Sequence, residues 1–471
     1  MILDPGRGVH RGMRYTGAMN FLIAALLLLQ SPTEPTLAIE HVAVIPMDRE
    51  VVLADQTVIV VDGRITALGA AAEVTVPDGA TRIDGRERFL MPGLADMHVH
   101  VWDENDLYLF VANGVTTVRN MFGAPLHLDW RTRIEADALL GPRIYTAGPI
   151  VDGEPAVWPG SVELTDPDEA DAVAQAQKDA GYDFLKPYSR LTRENYDALV
   201  AAGKKVGLPL MGHTPVALTL TDVIDAGQTT IEHLDGFSEA AQRADSPFPT
   251  VDSRTDIPAW KSIDDARLPV IANAMRDANV WNCPTLVVLQ KWSQGDEAAA
   301  LLARPEMRYV SPFMRSAWDP SSPMNYLAKM PASYVTAAHE ALPFQQKAVR
   351  ALRDAGAGIV AGTDMGNPFV IAGFALHEEL AYLVGAGLTP YEALRAATID
   401  AARCMDAENE WGSIAVGRRA DLVLLDANPL DDVAHAKRRV GVVLRGRWLS
   451  EDAMRAELER RAKSFEANTP R

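Results

Sequence analysis

The sequence predicts an α/β fold, a (β/α)8 TIM-like barrel carrying a small β-sandwich domain formed from N- and C-terminal segments. Three observations lead there. Eight short apolar runs alternate with helical patterns through the middle of the chain, and eight is the number a barrel of this kind needs. Valine-rich, alternating stretches stand near both ends. The length of 471 residues exceeds one ordinary domain but suits a barrel with an appendage.

Taken in order, Arg7, Arg11 and Arg14 precede an apolar run over 21–29 that gives way to Gln30-Ser31-Pro32-Thr33. The run is shorter than the roughly 20 residues that span a bilayer, so it reads as an export signal and not as a stable membrane span. Residues 1–32 are therefore expected to be a signal peptide or N-terminal segment, with a periplasmic or secreted home and a cytoplasmic one as the alternative. Residues 33–90 supply the first part of the sandwich, with Asp62-Gly63 between two alternating runs as a hairpin turn. Residues 408–450 supply the second part, through runs at 420–425 and 440–444. Residues 451–471 hold a charged amphipathic helix over 451–465 that packs on the surface or on a neighbouring subunit.

The barrel occupies 91–407. Its candidate strands are 90–100, 115–119, 143–147, 182–187, 209–213, 229–233, 280–286 and 358–364, with helical patterns over 168–180, 193–206 and 334–355 among the connections. The intervals 234–262 and 288–333 are rich in Pro, Ser and Asp. They are too long for simple connections and read as loops walling a pocket.

Composition narrows the partners. Hydrophobic residues at 48% and charged residues at 23% give ample core material, while a net charge of −18 argues against a nucleic-acid backbone or an anionic membrane surface. Solubility is the plainer reading of that charge. Cys283 and Cys404 are too few for a disulfide framework or a cysteine-rich zinc site, and read as buried apolar residues.

The chemistry gathers at strand ends. His98 and His100 lie two apart on one strand and so face the same way. His213, His233 and Asp364 each end a later strand, and Lys186 lies at the end of the run 182–187 before that of His213. In a barrel all these ends open onto one rim, where active sites are built. A single histidine pair would mean little; six such residues at five strand ends mean a site.

This order, with Met91-Pro92-Gly93-Leu94 at its entry and the stretches 387–398 and 417–423 at its close, resembles the amidohydrolase superfamily. Within it the chain is most similar to the imidazolonepropionase-like and prolidase-like (Xaa-Pro dipeptidase-like) branch. The resemblance implies hydrolysis of a C–N amide bond by a metal-bound hydroxide, with Asp364 as general base and then acid. Substrates it implies are a dipeptide, an Xaa-Pro dipeptide, an N-acyl amino acid or an amide toxin such as ochratoxin. It also implies two divalent ions, zinc first among them, with His98, His100 and Asp364 on one, His213 and His233 on the other, and a CO2-carboxylated Lys186 shared. Charge agrees, because an ammonium would be repelled by two cations whereas a carbamate supplies anionic oxygens. A homo-oligomer is a further implication.

Other residues are weaker candidates. Tyr188 shares the facing of Lys186 and could donate to a substrate, or simply pack. Arg119 could meet a substrate carboxylate or form a structural salt bridge. His339 and His377 read as surface or capping residues, and Glu378-Glu379 as a solvated helix face. Trp158, Trp281 and Trp292 could line an aromatic pocket or pack in cores. Two other readings of the whole stay open: a mononuclear hydrolase of a cyclic amide, as in imidazolonepropionase, and a catalytically silent barrel.

Overall fold

The computed structural model describes residues 36–248, 257–294, 297–323, 325 and 329–467; the export signal expected in 1–32 lies outside them. Parallel pairings in the centre of the chain close on themselves. Strand Leu94–Val99 pairs with Val115–Asn120, which pairs with Arg143–Thr146. Bridges Ala147 to Phe184 and Leu185 to Leu210 carry the pairing onward. Met211–Gly212 then pairs with Thr230–Glu232, and that strand with Trp281–Cys283. Asn282 bridges Ile359, and Met365 returns to Val99. Backbone hydrogen bonds seal the join, with Met97 N donating to Ala361 O at 2.9 Å and Asp364 N to His98 O at 2.7 Å. The first two strands are buried along their whole length, as parallel strands covered on both faces must be.

Connecting helices start and stop where the residues dictate. Helix Arg193–Val206 opens on Thr192, whose side chain accepts from Asn195 N, and ends at Gly207 with φ 71°, the left-handed position glycine fills without strain. Helix Ala332–Ala355 likewise ends at Gly356 with φ 74°.

A second body of structure is one eight-stranded sheet. It runs in the order Arg447–Ser450, Arg439–Leu444, Leu422–Leu425, Phe89–Pro92, Thr36–Val44, Leu53–Val61, Arg64–Ala70, with Thr81–Asp84 also paired to Thr36–Val44. The two distant β-rich stretches of the sequence thus share a sheet. Leu37, Ile39, Val58, Val60, Leu422 and Leu424 form its buried face. Asp62 and Gly63 turn the hairpin with φ 46° and 69°, the double positive φ of a type I′ turn.

Three expectations change. The strand expected over 90–100 is two strands, because the chain leaves the sheet at Pro92 and joins the ring at Leu94. Gly93 sits between them, where any side chain would run into Thr116. The strand expected over 280–286 stops at Cys283, and Thr285 at φ 47° turns the chain into helix Leu286–Ser293. The interval 288–333, expected as loop, carries helices Ala298–Leu302 and Pro312–Trp318 with a small core of Leu301, Met307, Trp318 and Phe369. Its prolines mislead: Pro305 and Pro312 stand at the first position of helical turns, where proline is welcome.

Helix Glu451–Ala467 packs on its own chain, with Met454 against Tyr108, Val111 and Leu444 and Arg461 donating to Asn105 at 3.1 Å. Among the described residues no helix is long and apolar enough to cross a membrane.

Candidate metal centre

The ring brings six sequence-predicted residues together. Asp364 Oδ1 lies 3.1 Å from His100 Nε2 and 3.4 Å from His98 Nε2, and Asp364 Oδ2 lies 4.0 Å from His233 Nε2. Lys186 Nζ stands 3.4 Å from His98 Nε2. The His98 and His233 rings are 4.5 Å apart, and His213 is 4.8 Å from His233. Tyr188 joins them, its ring 4.4 Å from that of His213.

Each buried imidazole is held from behind. Glu232 Oε2 meets His98 Nδ1 at 2.7 Å, Asp235 Oδ2 meets His213 Nδ1 at 2.6 Å, and Thr285 Oγ1 meets His233 Nδ1 at 2.6 Å. Fixing Nδ1 sets the ring and, for His98 and His233, aims Nε2 at Asp364. These three anchors escape a sequence reading. Glu232 precedes His233 on a strand, so alternation sends it to the opposite face. The backbone breaks that rule, because His233 has φ 58°, which turns its side chain inward beside that of Glu232. Asp364 and Thr285 also carry positive φ, 59° and 47°. Such conformations cost on the order of 1–2 kcal/mol each for non-glycine residues and collect at functional sites.

Arg119 does not reach the cavity. It is fully buried, donates to Met97 O at 2.6 Å and pairs with both Glu232 oxygens at 2.9 and 3.0 Å. A guanidinium so occupied buttresses Glu232, which buttresses His98, so of the two roles expected for Arg119 the structure shows the salt bridge and not the substrate contact. The Glu378-Glu379 pair is no solvated face either. Glu378 pairs with Lys291 at 2.7 Å and Arg304 at 2.6 Å, and fully buried Glu379 accepts from Val287 N at 2.7 Å. Helix Phe374–Gly385 packs inward there. His377 is buried, with Nε2 3.0 Å from Asn113 O at the end of helix Glu104–Ala112; His339 is exposed.

Burial dominates the electrostatics. It lowers the Lys186 amine to about 8, and it lowers His98 and His233 toward the neutral, ligand-competent imidazole. Burial alone would raise Asp364, but His233, His98 and His100 outweigh it and hold the carboxyl below the usual range. Imidazoles around an ionised carboxylate are the donor chemistry a divalent cation takes. His98, His233 and Asp364 offer ligand atoms all within 4.8 Å of one another, so the residues fit such an ion.

Above the cluster opens a cavity of about 1000 Å³. Its lining comes from the segment after every run of the ring: Trp102, Phe122, Trp158, Tyr188, Val216, Trp260, Trp292 and Pro368 are representatives in chain order. Both long intervals contribute. Of the three tryptophans singled out in the sequence, Trp158 and Trp292 line the cavity, whereas Trp281 packs in a cluster with Cys283 and Trp411.

Known proteins resemble the chain as a whole. The model of the amidohydrolase family matches residues 89–449. An imidazolonepropionase from Deinococcus deserti is 40% identical over 87 residues, 18% of this chain and 21% of that relative, so about a fifth of the relative's length is matched. Among solved structures, bottromycin amidohydrolase is 24% identical with TM-score 0.71, covering 91% of this chain and 90% of that one. A Xaa-Pro dipeptidase with bound methionine in its active site is 22% identical with TM-score 0.62, covering 88% and 100%. The ochratoxinase of A. niger is 17% identical with TM-score 0.62, covering 88% and 96%. At these identities the solved structures carry the fold, a TIM barrel with an extra domain, and the family match carries the class: the chain belongs to the amidohydrolase family, metal-dependent hydrolases acting on carbon–nitrogen bonds.

Proposed function

We propose that the chain hydrolyses an amide bond in a dipeptide, an Xaa-Pro dipeptide or an N-acyl amino acid, amide toxins such as ochratoxin included, at a two-metal site. The observation that carries this reading is the convergence of His98, His100, Lys186, His213, His233 and Asp364 at the ends of five runs of one closed ring, which we take as a (β/α)8 barrel flanked by a sandwich.

His98, His100 and Asp364 would hold one divalent ion and His213 and His233 a second, zinc first among candidates, with Lys186 shared as a carbamate. Bound there, such ions polarise a carbonyl and make water nucleophilic near neutral pH. The protein's own contribution is placement and proton handling. Asp364, ionised at ordinary pH, takes the proton of the attacking water and returns it to the leaving amine. Lys186 is buried, and among the described residues no carboxylate pairs with its Nζ. Desolvation that lowers the pKa to about 8 enlarges the fraction of neutral amine, the form that adds CO2, which supports the carbamate. Tyr188 lies beside His213 with its hydroxyl fixed by Trp158 Nε1 at 2.8 Å, and we assign it to the substrate carbonyl or carboxylate. Lys329 and Arg190 among the lining residues suit a carboxylate-bearing substrate.

The stretch 40% identical to imidazolonepropionase favours a second reading, opening of a cyclic amide at one ion. Metal content separates the two. The test of activity is a dipeptide and N-acyl amino acid library incubated with metal-loaded protein and read by mass spectrometry. Cleavage at an amide bond is the expected result, and a library left intact counts against the peptidase-like reading. Export through the N-terminal segment and assembly as a homo-oligomer are proposed on the sequence alone.

A further inference from the structure

The walls of the cavity are rich in aromatic side chains. Five of the chain's nine tryptophans, Trp102, Trp158, Trp260, Trp292 and Trp318, line it. They arrive from four separate connections of the ring, so no single packed helix accounts for them. Trp260 and Trp318 are packed, at 1% and 4% exposed, but core packing does not account for Trp102 and Trp158, which are 47% and 46% exposed. Rings left half open to water on a cavity wall gain most when a second flat apolar surface covers them.

The aromatic wall reaches the chemistry directly. Trp158 Nε1 donates to Tyr188 Oη at 2.8 Å, and the Tyr188 ring lies 4.4 Å from His213. A group seated on Trp158 is therefore one side chain away from the candidate ligands. Trp102 stands edge-on to Phe122, 5.4 Å between centroids at 86°. Trp318 packs against Phe369 at 5.9 Å, which fixes it from outside the cavity. The volume of about 1000 Å³ lies at the top of the roughly 300–1,000 Å³ that holds drug-sized ligands. A dipeptide would leave much of that space to water.

We infer that the substrate is an amide carrying a bulky aromatic group beside the scissile bond, and that Trp102, Trp158 and Trp292 select it. The inference rests on the amide-hydrolysing reading above and names the substrate class within it. Two substrates of the same linkage separate bulk from chemistry: N-(2-naphthoyl)-L-phenylalanine and N-acetyl-L-alanine, assayed with the metal-loaded full chain. Expected is a kcat/KM at least about 100-fold higher for the naphthoyl compound. Trp292→Ala is expected to lower the ratio of the two kcat/KM values by about tenfold or more, and Trp292→Phe to restore most of it. Rates within about threefold of each other, or a ratio unmoved by Trp292→Ala, would overturn the inference while leaving amide hydrolysis intact. Quenching of tryptophan fluorescence on adding the naphthoyl compound tells the two failures apart. Saturable binding without turnover of either substrate supports the aromatic cavity and removes the amide reading. Neither binding nor turnover overturns both.

Discussion

Glu232 Oε2 lies 2.7 Å from His98 Nδ1, with both side chains fully buried. The same carboxylate takes two hydrogen bonds from Arg119, so one acid joins a structural cation to a candidate metal ligand. Glu232→Gln keeps the shape and removes the charge. Loss of an outer partner of this kind weakens metal affinity by about 10–100-fold, and leaving Arg119 buried without its counter-ion costs about 3–5 kcal/mol of stability. Equilibrium dialysis and thermal unfolding measure the two. An unchanged affinity would remove Glu232 from the site.

Gly362 ties the fold to the site in the same way. A Cβ there would meet the Cys283 sulfur and sit 2.8 Å from His98 N, and Asp364 follows two residues later. Overpacking of this kind costs about 1–3 kcal/mol. Gly362→Ala is expected to lower the melting temperature and, by shifting His98 against Asp364, to lower metal occupancy as well. Full occupancy at reduced stability would separate packing from ligand placement.

Glu379 gives a pH signature away from the candidate ligands. Burial raises its carboxyl from 4.5 to about 8, against the opposing hydrogen bonds from Val287 and Leu286. The folded state therefore holds a proton that the unfolded chain releases near its ordinary value. Stability from this group is complete below about pH 4.5 and falls as pH rises toward about 8. Glu379→Gln keeps an acceptor for Val287 N without the charge. Its melting temperature should match the parent near pH 5 and exceed it near pH 8.5. Equal melting temperatures at both pH values would contradict a protonated Glu379.

The ligand candidates were legible because strand ends are legible: an apolar run followed by His, Lys or Asp places that residue on the rim whatever the connections do. His98 and His100 needed only the two-residue period. Glu232 was hidden by the same period, since positive φ at His233 is invisible to alternation. Asp235 and Thr285 enter from turns beyond the strands, and only the folded chain brings them to His213 and His233. Helices Ala298–Leu302 and Pro312–Trp318 hide in an interval rich in Pro, Ser and Asp, where Pro305 and Pro312 begin helical turns instead of ending them. Gly93 divided one expected strand into two through a close approach to Thr116 that no local pattern encodes.

Lys186 decides how many ions the site holds, and metal content measured by mass spectrometry on the purified chain, with Lys186→Ala beside it, tests the account most directly. Two divalent ions per chain in the parent are expected, with loss of at least one ion and of activity in the variant. A parent without bound metal, or a Lys186→Ala variant that keeps both ions and full activity, would contradict it.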